Sequence, residues 1–178
     1  MSSPPAEKIS IRPATPAEVP LVLAFIRELA AYERLGEQVS AREADLRAAL
    51  FGPRPYAEVV FACLGGVPVG FALFFHNFST FLGKPGIYLE DLFVRPQARG
   101  RGVGRRLLQW LAHTTLARGG ARLDWSVLDW NAPALGFYRS LGAVALDEWT
   151  TYRLSGAALA ALAEGGPNAD GGRPRRSS

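Results

Sequence analysis

The chain has 178 residues, 48% of them hydrophobic and 20% charged, with a mean hydropathy near zero, values that place it among globular domains and exclude disorder or coiled coil over most of its length. Its longest apolar runs, Val19 to Ile26 (interrupted by Pro20) and Val67 to Phe75, fall far short of the ~20 residues a membrane span requires. One cysteine, Cys63, leaves no internal disulfide, and the start MSSPPAEKIS lacks a signal-peptide layout, so a reducing cytoplasm is the expected location, with no membrane partner.

Residues 1–8 and 165–178 are expected to be flexible, the latter a Gly/Pro/Arg tail, leaving a single domain over 9–164. A strand over Ile9 to Arg12 leads into Thr15-Pro16-Ala17-Glu18, where Thr15 can cap, Pro16 suits the first helical position and Glu18 completes a capping box. The helix that follows carries Val19, Leu23, Ile26 and Ala30 on one face and ends near Tyr32 and Glu33. Ser40-Ala41-Arg42-Glu43 repeats the capping signature and predicts a second helix up to Gly52-Pro53. Ala57 to Cys63 and Val67 to Phe75, separated by Leu64-Gly65-Gly66, form a hairpin. A loop containing Asn77, Ser79, Gly83, Pro85 and Gly86 is expected next, then a central strand over Tyr88 to Val94, apolar on both faces except at Glu90 and Asp91. Val103, Leu107, Leu108 and Leu111 predict a helix reaching about Arg118. A strand over Arg122 to Leu128, a helix over Pro133 to Leu141 capped by Asn131, strands over Val144 to Leu146 and Thr150 to Leu154, and a helix near 156–163 complete the order.

The net charge of +4 and pI of 9.6 raise the question of nucleic acid. Arg95, Arg99, Arg101, Arg105 and Arg106 crowd one short stretch, and Arg173, Arg175 and Arg176 sit in the tail. No zinc spacing, basic zipper or RNA-binding aromatic motif accompanies them, so a phosphorylated small ligand suits the cluster better than a nucleic acid. Within it, Arg99-Gly100-Arg101-Gly102-Val103-Gly104 lies between a strand and a helix, where backbone N–H groups and a helix dipole can receive phosphate. A Walker loop is excluded because Arg105-Arg106 stands where Lys-Ser/Thr is required. A dinucleotide fingerprint is excluded because the third glycine would fall on Arg105 or Leu107.

With R-x-x-G-x-G after a central strand, the sequence resembles the GNAT N-acetyltransferases. The segments IRPAT (11–15), LAAYE (29–33), YLEDLFV (88–94), RGRGVG (99–104), VLDWN (127–131) and FYRSLGA (137–143) resemble the diamine and thialysine acetyltransferase branch. That resemblance implies an α/β (α+β) fold with a mixed, mostly antiparallel sheet of six or seven strands, helices on both faces, and a splay between the central strand and the next one for acetyl-CoA. It also implies a cofactor site built from Leu92, Phe93, Val94, Arg99, Gly100, Arg101, Gly102, Val103, Gly104, Arg105, Asn131 and Tyr138, and a homodimer. No metal is implied.

An alkyl amine with pKa near 10.4 is almost wholly protonated at neutral pH, so attack on a thioester needs a proton acceptor. Glu90 and Asp91 are adjacent carboxylates that alternation sends to opposite faces unless a bulge intervenes. The resemblance gives Glu90 the part of base, direct or through water, leaves Asp91 structural, and makes Tyr138 the acid that protonates the departing thiolate. Phe137-Tyr138 followed by Leu141, taken alone, reads better as an amphipathic core stripe. Backbone N–H groups near Leu92 and Phe93 are expected to stabilise the oxyanion. Glu33, Glu90, Ser79 and Phe81 are the candidate substrate contacts. Ser79-Thr80-Phe81 replaces the aspartate and tryptophan of the polyamine branch, which favours a short amine, such as a thialysine- or lysine-like amino acid or a diamine, over spermidine. Cys63 reads as a small core residue, and His76 and His113 have no Ser or Cys partner motif. A non-catalytic acyl-CoA-binding module on the same fold is the other function class.

Overall fold

Local signals at the start of the chain are realised atom by atom in the computed structural model, which describes residues 8–165. Strand β1 (Ile9–Pro13) leads to a short 3-10 turn and helix α1 (Val19–Tyr32). The Glu18 carboxylate accepts from the Thr15 N–H and hydroxyl, each at 2.9 Å, and is gripped by both terminal nitrogens of Arg12. This ties strand to helix. Helix α2 (Glu43–Phe51) begins after Arg42, not Ser40: Asp45 accepts from the Arg42 N–H at 3.1 Å, so the reciprocal contact expected of Ser40 and Glu43 forms two residues later.

Strands β2 (Glu58–Leu64) and β3 (Val67–Ser79) form the expected hairpin, turning on Gly65 and Gly66 at φ 55° and 85°. Two positive φ values are what a tight two-residue turn demands, and glycine supplies them without strain. Strand β3 pairs with β4 (Lys84–Val94) from Gly70 to Ser79. Asn77, Ser79, Pro85 and Gly86 are therefore strand residues, not loop. The reason lies across the sheet. Asn77 Nδ2 donates to Asp124 at 2.8 Å, and a Cβ on its cross-strand partner Gly86 would lie 2.4 Å from Asn77 Oδ1, so the Gly and Asn that suggested a loop serve a close strand approach.

Helix α3 (Val103–Ala117) follows, then β5 (Leu123–Trp125), α4 (Ala132–Arg139) and α5 (Gly156–Ala163). The sheet has five strands in the order β1-β2-β3-β4-β5, antiparallel except for the parallel β4/β5 pair. The expected count of six or seven is corrected: Val144–Leu146 and Thr150–Leu154 form no strand. Their alternating apolar residues are exposed, Val144 at 84% and Tyr152 at 91%, so the pattern that suggests a strand finds no ladder to join in one chain.

The described residues divide into two compact units, one ending at Leu128 and one beginning at Asp129. In the first, odd-numbered β2 residues Val59, Phe61 and Cys63 face α1 and α2, packing with Val22, Phe25, Leu29, Leu50, Phe71 and Phe93. Phe25 lies 5.3 Å from the Phe71 ring, and Arg95 caps it at 4.4 Å while binding Glu28 through two nitrogens. The other face belongs to α3: the Phe74 and Trp110 rings meet edge to face at 5.9 Å, and Gly70 lies against Val103. Helices thus cover both faces. The second unit contains α4, capped by the Asn131 side chain accepting from the Ala134 N–H, and α5. Among the flexible ends expected from sequence, residues 1–7 and 166–178, with Arg173, Arg175 and Arg176, lie outside the described residues.

Candidate functional site

Strand β4 pairs with β3 residue for residue until one position. Ala72 faces Leu92 and Leu73 faces Asp91, but Phe74 faces Leu89, which leaves Glu90 without a partner on β3. Glu90 is a β-bulge. An extra residue shifts the phase of side chains along its strand. Asp91, opposite Leu73, lies on the α1 face with Phe93, while Leu89, opposite Phe74, lies on the α3 face. Pairing with β5 ends at Leu89–Trp125, so no β5 residue pairs with Glu90–Val94, and the two strands part there.

The bulge gathers acid. Burial first, then the charges of Glu90 and Glu33, push the Asp91 carboxyl up to about 6. Burial also raises Glu33, which follows the last residue of α1. Glu90 itself is exposed. Glu33 and Glu90, taken from sequence as substrate contacts, are therefore brought together around Asp91, which the sequence reading leaves structural. The signal for Asp91 lies in its surroundings: the charge of Glu90 reaches it from the bulge beside it, and that of Glu33 from the end of α1. Three carboxylates with two raised pKa values suit a cation.

The glycine turn precedes α3. Gly100 and Gly102 adopt φ of 72° and 83°, Gly102 being the N-cap of α3, and at neither would a Cβ meet an atom within 4 Å. Positive φ accounts for glycine here, and the open space beside the turn gives a ligand close access to the first backbone amides of the helix. The Val103 side chain is buried, anchoring the helix start, while Gly104 lies in its first turn. The arginines divide. Arg95 is held by Glu28, and Arg99 folds back to donate to the Val94 carbonyl at 2.9 Å and to lie 4.7 Å over the Tyr32 ring. Arg101 and Arg105 are exposed beside the turn. Leu92 and Val94 point to the α3 face, Leu92 opposite Ala72 and Val94 against Gly70.

Ser79 is buried at the end of β3, where its hydroxyl accepts from the Leu82 N–H at 3.3 Å, and Phe81 is 94% exposed at the hairpin tip. Asn131 and Tyr138 belong to the second unit: Asn131 is buried at the α4 cap, and Tyr138 is half-buried in the last turn of α4 with its ring 5.4 Å from Phe137. No group of three or more His, Cys, Asp or Glu side chains able to hold a metal ion occurs among the described residues.

Comparison with known proteins gives consistent matches. Residues 23–143 match the family model described as the acetyltransferase (GNAT) family, a span that crosses from the first unit into the second. The chain is 37% identical over 166 residues to thialysine N-epsilon-acetyltransferase of Bos taurus, covering 87% of this chain and 97% of that relative. It is 32% identical to L-ornithine N5-acetyltransferase of Arabidopsis thaliana, with 85% and 86% covered. Among solved structures, an integron cassette protein from Vibrio cholerae superposes with a TM-score of 0.74 at 30% identity, over 88% of this chain and 98% of that one.

Proposed function

Because the chain belongs to the GNAT family of acetyltransferases, we propose that it moves the acetyl group of acetyl-CoA directly onto a primary amine of a small cationic metabolite. The acceptor is an amino acid of the thialysine, lysine or ornithine type, or a short diamine. The observation that carries this reading is the carboxylate cluster of Glu33, Glu90 and Asp91 at the β4 bulge. Burial, and after it the charges of Glu90 and Glu33, raise Asp91; an ammonium entering the cluster offsets both by favouring the ionised carboxylates, which hold the cation.

Glu90, exposed on the bulge, takes the proton from the bound ammonium directly or through water, and the freed amine attacks the thioester carbonyl. Backbone N–H groups of the bulged strand near Leu92 and Phe93 stabilise the oxyanion, and Tyr138 protonates the leaving thiolate, a phenol near pKa 10 serving a thiol near 8.5. Amides from Arg101 to Arg105 receive the pyrophosphate, Leu92 and Val94 pair through backbone groups with the pantetheine arm, and Asn131 stands beside the cofactor. Support for the phosphate role comes from the two positive-φ glycines with open space beside them, and for Tyr138 from the family resemblance of FYRSLGA. The buried, unpaired Cys63 accords with a reducing cytoplasm. A homodimer is part of the proposal, supported by the exposed apolar run of Val144, Leu146, Trp149 and Tyr152, which a second copy would cover.

Release of CoA thiol from acetyl-CoA in the presence of thialysine, lysine, ornithine, putrescine and spermidine tests the reading. Turnover is expected with the short acceptors and weakest with spermidine, since Phe81 and the occupied hydroxyl of Ser79 offer no anion to a distant ammonium. Spermidine leading by tenfold would assign a polyamine acetyltransferase, and affinity for acetyl-CoA without turnover of any amine would assign a binding module.

A further inference from the structure

The bulge has a second effect, on Tyr88. Along a regular strand, Tyr88 and Asp91, three residues apart, would face opposite ways. With Glu90 looped out, both lie on the α1 face: Asp91 opposite Leu73, and Tyr88 opposite Phe75, two residues further along β3 on the same face. The face is identified independently by Phe74, between them, which packs on Trp110 of α3. Asp91 and Tyr88 are therefore neighbours on one surface. The Phe75 and Tyr88 rings are 5.3 Å apart and tilted by 31°, and both are half-buried where Phe71 and Phe93, further under α1, are buried.

Tyr88 is also held at its tip. Its hydroxyl lies 2.7 Å from the Ser126 hydroxyl, just beyond the point where β5 leaves β4. Ser126, two residues after Asp124, which pairs with Tyr88, shares the same face. The ring is thus fixed at one edge by Phe75 and at the other by Ser126, and so is a rigid apolar surface beside the carboxylates. A rigid ring loses little entropy when a ligand settles on it.

We propose that Phe75 and Tyr88 are specificity-determining residues: they form the floor on which the unbranched aliphatic or thioether chain of the acceptor lies while its ammonium sits in the Glu33–Glu90–Asp91 cluster. This rests on the reading of the carboxylates as the amine site. The consequence is selectivity by chain. Each methylene laid on the floor tightens binding by up to about fourfold, the factor for full burial of one CH₂, until the rings are covered.

The test uses ethylamine, butylamine and hexylamine, which carry an ammonium and a chain and nothing else. Calorimetric titration of the full chain in the presence of CoA gives dissociation constants independent of turnover. In the unaltered protein affinity is expected to rise two- to fourfold per methylene; in Phe75→Thr and Tyr88→Thr, which keep a strand-forming residue, the rise should fall by at least half, while Tyr88→Phe, retaining the ring, should keep it. Should the threonine variants not fold, ring-proton NMR of the unaltered chain decides: hexylamine should shift Phe75 and Tyr88 and leave Phe61 and Phe71 unmoved. Equal chain-length slopes in all variants, or unshifted Tyr88 and Phe75 rings, overturn the floor. Chain-dependent binding without acetylation would instead overturn the proposed reaction while supporting the floor.

Discussion

The glycine turn before α3 and the bulge in β4 are built by opposite means. At the turn, two residues with φ of 72° and 83° are surrounded by open space, and what they present is backbone. At the bulge, one unpaired residue changes the phase of a strand, and what results is a concentration of side-chain charge drawn from β4 and the end of α1. The first is local conformation, encoded by which residue is glycine. The second is a field, encoded by how three elements are registered. Function at the turn should therefore respond to backbone freedom, and function at the bulge to charge and pH.

The largest expected effect concerns chemistry at neither region. Tyr138→Phe should keep acetyl-CoA affinity and lose kcat by about one to three orders of magnitude, since general-acid assistance is typically worth 10² to 10⁴ and water replaces part of it; steady-state kinetics with the best amine of the panel decides. An unchanged kcat would return Tyr138 to a packing residue on α4.

Next is the turn itself. Gly102→Val puts a β-branched side chain at φ 83°, a conformation that costs an L-residue about 1–2 kcal/mol, and projects it into the space beside the helix N-terminus. Calorimetry should show CoA binding weakened at least tenfold with a loss of a few degrees in Tm. Gly36→Ala, at a glycine without positive φ and with no atom within 4 Å of its Cβ, should change neither.

The bulge predicts a smaller effect with a distinctive pH dependence. Burial, then the charges of Glu90 and Glu33, push the Asp91 carboxyl in the folded chain up to about 6, above the usual carboxylate range, so the folded chain holds that proton more tightly than the unfolded one. Its ionisation weakens the fold as pH rises from about 4 to about 6, and the penalty stays in place above that. Asp91→Asn should therefore raise Tm at pH 7.5 and have little effect on it near pH 3.5, a difference of order 1–2 kcal/mol after allowing for solvent screening. The same variant should weaken amine binding, so stability and function move in opposite directions. A variant that is destabilised equally at both pH values would remove the charged field from the account.

What could be read from sequence follows the same division. The capping contact of Glu18, the Gly65-Gly66 turn, the stripe of α3 and the glycine turn are signals within a few residues, and each appears where expected. The end of β3 was hidden because Asn77 and Gly86 resemble loop residues until Asp124, far along the chain, supplies Asn77 with a partner. The C-terminal strands failed for the converse reason: alternation in Val144–Leu146 and Thr150–Leu154 is a local property, while a ladder needs a neighbour. At the candidate site, the family motif points to Glu33 and Glu90 but not to Asp91, whose raised pKa arises from burial and from the charges of Glu90 and Glu33, which the bulge and the end of α1 bring near.

The most direct test of the central claim is the titration of the Asp91 side-chain carboxyl, followed by NMR with and without a saturating primary amine. The account predicts a midpoint near pH 6 in the free protein, as burial, Glu90 and Glu33 dictate, and a fall of one unit or more when the ammonium is bound, because an opposite charge favours ionisation. A midpoint near 4 that the amine leaves unmoved would contradict it.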